Sequence, residues 1–128
     1  MKFKNIISLK GLAGLETLAD LLVARRKAEK RTIFYLRLYT YLLKSSEDLR
    51  CRHFEECVYN LLIAKKFALE CDLKGEKPHA EQIKALTERL VADITSAKRK
   101  KDAEIRYHKL KVLLRAAQGI CVLRMLND

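Results

Sequence analysis

A single proline and four glycines are all that punctuate 128 residues, so little in this chain stops a helix once it has begun. The other positions lean toward Ala, Leu, Lys, Arg and Glu, which lose little side-chain freedom on an α-helix. The expected fold class is therefore all-α, and the length suits one helical domain spanning 1–128. The strongest break is "KGEKP" at 74–78, where Gly75 can end one helix in a left-handed conformation and Pro78 can open the next.

Apolar periodicity sets the elements. Leu15, Leu18, Ala19 and Leu22 share a face that Leu36, Tyr39 and Leu43 continue, which predicts a long first helix over 14–44, with a kink or break near 24–31 as the alternative. "SSED" then looks like a fresh start, with Ser45 as N-cap and Asp48 at the box position, and a second helix is expected over 47–73. The two form an antiparallel hairpin, because the join is short. A third helix is expected over 79–97, with Ile83, Leu86, Leu90 and Ile94 inward, and a fourth over 103–126. That last stretch is apolar on most sides beyond Leu110, so it needs cover from this domain or from another subunit.

Charge restricts the partner. Lys and Arg number 27 against 16 Asp and Glu, a formal net charge of +11, and such an excess repels itself unless a polyanion relieves it. If residues 24–44 are helical, Arg26, Lys30, Arg37 and Lys44 form one row about 27 Å long, comparable to a groove of duplex RNA with its bordering phosphates. Glu29 is the only acid between residues 21 and 46, and Lys98, Arg99, Lys100 and Lys101 make a second cluster. Regularly spaced cations without an aromatic platform suit sequence-independent contact with phosphates, so double-stranded RNA is the expected partner and other nucleic acids the alternatives.

Enzyme signatures are absent from the sequence: there is no Gly-rich phosphate loop, GxSxG or HExxH, and no catalytic residue is expected. His53, His79 and His108 are scattered. Cys51, His53 and Cys57 do not share one helical face, so no metal, cofactor or small-molecule substrate is expected either. Four cysteines without CxxC, no signal-peptide pattern and no long apolar run predict a cytoplasmic protein with no membrane segment.

The hairpin followed by "CDLKGEKPHAEQIKALTERL", residues 71–90, resembles the small RNA-silencing suppressors of insect nodaviruses. The matching positions are Leu73, Gly75 and Pro78 of the turn and Glu88, Arg89 and Leu90 of the following helix. The resemblance implies a viral, non-catalytic homodimer whose paired hairpins make a four-helix bundle. One face of that bundle would lie along double-stranded RNA and shield it from dicing, in the host cytoplasm. By position, Arg26, Lys30, Arg37, Lys44, Arg52, Lys65 and Lys66 would be the counterparts of the family's basic contacts. Two features depart from it: the chain runs on for almost forty residues, and "CVYNLLIAKK" is more apolar than an RNA-facing helix should be. The alternative expectation is a structural or adaptor subunit of a ribonucleoprotein or polymerase complex, docked through 105–126.

Overall fold

The computed structural model describes residues 30–97 and 99–126. Residues 14–29 of the expected first helix lie outside the described residues. Four helices follow in order: α1 (Lys30–Arg50), α2 (Phe54–Leu69), α3 (Lys77–Thr95) and α4 (Lys100–Leu126). Among the described residues there is no strand.

Each helix packs on two others. α1 lies against α2 and α4, and α3 against α2 and α4, so the helices close a ring in which chain neighbours are spatial neighbours and α4 returns to α1. The connections are short, which makes the directions alternate around an up-down-up-down four-helix bundle. This bundle closes within one chain, whereas the resemblance assembles four helices from two chains. The interior is aliphatic, with Leu36, Leu42, Leu61, Ile83, Leu90 and Leu114 fully excluded from water.

The first boundary corrects the sequence expectation. α1 does not stop at Lys44 but runs two turns further, and α2 starts at Phe54 instead of residue 47. Ser45 is buried, and its hydroxyl donates back to the Tyr41 carbonyl at 3.0 Å, so it serves inside a continuing helix and caps nothing. Asp48 accepts from Asn60 Nδ2 across to α2 at 2.8 Å, and Leu49 is buried, which draws the extra turns into the bundle. Arg52 ends the helix in the left-handed region (φ 61°); its N–H donates to the Leu49 carbonyl at 3.1 Å and the His53 N–H to that of Asp48 at 2.8 Å.

At the other end of the bundle Gly75 adopts φ 82° in the turn closed by the Glu76 N–H and the Leu73 carbonyl, and Pro78 stands in the first turn of α3. α2 has already stopped at Leu69, short of the expected residue 73, so Gly75 shapes the connection and does not terminate that helix. The α3–α4 join is tight: Arg106 donates from Nη1 to the Asp93 carbonyl at 2.9 Å and the Ser96 hydroxyl at 2.7 Å, closing the end of α3 with a cation. α4 begins at Lys100, ahead of the expected residue 103.

A buried ionic node joins three elements beneath the α2–α3 connection. The Glu76 carboxylate accepts from the Tyr35 hydroxyl at 2.9 Å and from Arg124 Nε and Nη2 at 2.8 Å each. Arg124 and Tyr35 thereby hold its carboxyl down at about 2, overcoming the opposite push of burial. Burial and the adjacent carboxylate raise the Tyr35 hydroxyl in turn. Tyr35 and Tyr39 are core residues, and Tyr41 stacks on Phe67 of α2 with ring centres 5.6 Å apart, so these tyrosines build the bundle.

Candidate nucleic-acid interface

The basic residues expected to meet RNA do not form one patch. Arg26 and Lys98 lie outside the described residues, as does the side chain of Lys100. Lys30 is exposed at the start of α1, but Arg37 and Lys44 are half-buried, so the row is not presented fully outward as its spacing alone suggests. The Lys44 ammonium sits 4.9 Å from the Tyr41 ring centre.

Arg52 is committed to the bundle. Its guanidinium makes a two-pronged ion pair with Glu104 on α4, Nη2 to Oε2 at 3.0 Å, and stacks on the Tyr107 ring at 4.1 Å. Lys65 points across to α3, where its ammonium lies 3.4 Å from Glu88. Lys66 is exposed on α2, the helix diagonal to α4 in the ring. Arg99 and Lys101 are exposed at the α3–α4 turn, the same end of the bundle as Arg52. Geometry thus gathers Arg52, Arg99 and Lys101 at one end and leaves Lys30 at the other.

Charge is nonetheless segregated by helix. α1 carries five basic and two acidic residues, and α4 seven basic and two acidic. α2 holds two of each and α3 three of each. The two charged helices are neighbours in the ring, so the excess lies on one side of the bundle.

Within α4, Gln118 Nε2 donates to the Leu42 carbonyl and the Ser46 hydroxyl, both at 3.2 Å, which fixes the edge that faces α1. Lys111, seven residues earlier, stands on that same edge two turns away, and Arg115, three residues earlier, stands beside it and is exposed. With Lys109, these cations are absent from the sequence-derived set. Their neighbours Leu110, Val112, Leu113 and Leu114 make the stretch look like core; counting charge along the whole helix would have shown them.

The cysteines divide by depth. Cys51 is exposed and Cys71 half-buried, whereas Cys57 and Cys121 are buried. The Cys57 thiol donates to the Ser45 carbonyl at 3.3 Å, and burial pushes it up to about 12. Burial also raises Cys121. His53 and Cys51 are exposed beside the buried Cys57, and the three do not converge. Among the described residues no helix is long and apolar enough to cross a membrane.

Comparison of the chain with protein-family models, with characterised proteins and with solved structures finds no match.

Proposed function

We propose that this chain binds double-stranded RNA without regard to sequence and acts by occlusion, as a viral suppressor of RNA silencing would. The carrying observation is the segregation of positive charge onto the adjacent helices α1 and α4 while α2 and α3 stay neutral. A stiff pair of helices with a one-sided cationic field can follow a phosphate backbone, and the arginines among those cations fork onto phosphate oxygens. Duplex RNA suits such a reader, because its deep narrow groove hides the bases and leaves backbone and shape to be recognised. The likeness of residues 71–90 to the nodaviral suppressors supports the same reading, and with it a homo-oligomeric binding unit.

A gel shift with duplex RNA, duplex DNA and single strands at two salt concentrations tests this reading. Duplex RNA is expected to bind best, and its affinity to fall steeply with salt. Replacing Lys101, Lys111 and Arg115 by Ala weakens every duplex sequence alike and lowers the steepness of the salt dependence by about one for each phosphate no longer neutralised. Lys66→Ala, on the neutral side, changes little. Binding that ignores salt, or survives the triple replacement intact, rules the reading out.

One observation favours the second reading, a non-catalytic adaptor subunit docked through α4: Ile105, Val112 and Leu123 stand exposed on that helix. A chain that stays monomeric, ignores RNA and remains soluble only with a partner protein would support it.

A further inference from the structure

All seven large apolar side chains exposed among the described residues lie on two helices, α2 and α4. On α2 they are Tyr59, Leu62 and Leu69, which with exposed Lys66 recur every three or four residues along one stripe. On α4 they are Ile105, Val112, Leu123 and Leu126, a line completed by exposed Ala116 and half-buried Gly119. From Val112 onward the spacing alternates four and three residues, as on a helix that packs lengthwise against another. α2 and α4 sit on opposite corners of the ring, so the stripes face away from each other.

Charge decides what covers them. The α4 stripe is bordered by exposed Lys101 and Arg115 and by Lys109, which is shared with Asp93 of α3, while Glu104 is held by Arg52. The α2 stripe is bordered by exposed Glu55 and Glu56 and by Glu70 just beyond its end, with Lys66 the one cation. Two α4 stripes brought together would oppose like charges; α4 against α2 opposes unlike ones. We propose that copies of this chain associate side by side, the α4 stripe of one packing on the α2 stripe of the next, in an open array with no two-fold axis.

The bundle supplies the register. Lys65 on α2 pairs with Glu88, and Lys109 on α4 pairs with Asp93, five residues and about 7.5 Å further along α3. Residue 114 therefore stands level with residue 65. α2 and α4 run in the same direction, so a neighbour reached by translation across the bundle sets Val112 beside Leu62, Leu69 against the gap at Gly119, and Lys101 and Lys109 toward Glu55 and Glu56. Arg115 and Lys66 are the like-charged pair in this register.

Light scattering on the nucleic-acid-free protein tests the proposal and does not depend on RNA binding. The unmodified chain is expected to gain mass from low to high micromolar concentration. Leu62→Glu and Val112→Glu, both outward positions, each leave a helical monomer by circular dichroism. Mixed, these two variants form a one-to-one dimer and nothing larger, since each retains the face the other has lost. Lys66→Glu, placed opposite Arg115, tightens the association. A chain monomeric throughout, a single-face variant that still self-associates, or folded variants that ignore each other when mixed would overturn the proposal.

Discussion

Each end of the bundle is closed by an arginine that grips a glutamate with two prongs, and the two closures differ in depth. At one end Arg52 reaches Glu104, with side-chain exposures of 32% and 43%; at the other Arg124 reaches Glu76, with 22% and 7%. The chain also turns through the left-handed region at both ends, on Arg52 at the first and on Gly75 at the second. The same chemistry has different weight in the two places. Water already serves both partners of the outer pair, so forming it gains little. The inner carboxylate is cut off from water, and Tyr35 and Arg124 stand in for its hydration.

That contrast can be broken from its strong side. Glu76→Ala strands the Tyr35 hydroxyl and the Arg124 guanidinium together, and should lower the unfolding free energy by about 2–3 kcal/mol, read as a shift of the denaturant midpoint at unchanged slope. Acid should erase the contrast. The Glu76 carboxyl lies at about 2 when folded and near 4.5 when unfolded, so below 4.5 the unfolded chain takes up a proton that the folded chain refuses. Its contribution is complete above pH 4.5 and drains away as the pH falls toward 2; Glu76→Gln should flatten that part of a stability-against-pH curve.

Gly75→Ala comes next. The added methyl meets nothing within 4 Å, so the cost is conformational alone, about 1 kcal/mol. The smallest effect belongs to Arg52→Gly, in which relief of the left-handed backbone and loss of the Glu104 pair oppose each other. Its melting temperature should stay close to that of the unmodified chain, below the change for Gly75→Ala; a fall as large as that of Glu76→Ala would refute the ranking of the two ends.

How far the sequence reveals the molecule varies along it. α3 is legible because its apolar stripe is narrow, and Ile83, Leu90 and Ile94 are buried as their spacing requires. α4 is not, because Val112 and Leu114 are indistinguishable by hydropathy; only the direction of approach of α1 and α3 decides that Leu114 goes in and Val112 stays out. Leu62 of α2 is exposed for the same reason. "SSED" has the composition of a helix start, but a hydroxyl can satisfy the preceding turn as well as the next one, and burial of Leu49 settles the choice. In the candidate interface, the charge excess is visible in the sequence, whereas the capture of Arg52 by Glu104 and of Lys65 by Glu88 depends on pairings that only the folded ring creates.

The ring order also bears on how the chain comes into being. α1 with α2, α2 with α3 and α3 with α4 are neighbours in sequence and can pair as they emerge during synthesis, since short loops close at little entropic cost. The α1–α4 seam must wait: Gln118 meets Leu42 across 76 residues, and Arg124 meets Glu76 almost at the end of the described chain. Until those last turns are made, the flank of α1 that α4 covers has no cover, and a nascent chain is most open to capture or misassociation there. Loss of even the final two turns of α4 would prolong that vulnerable interval for the life of the protein.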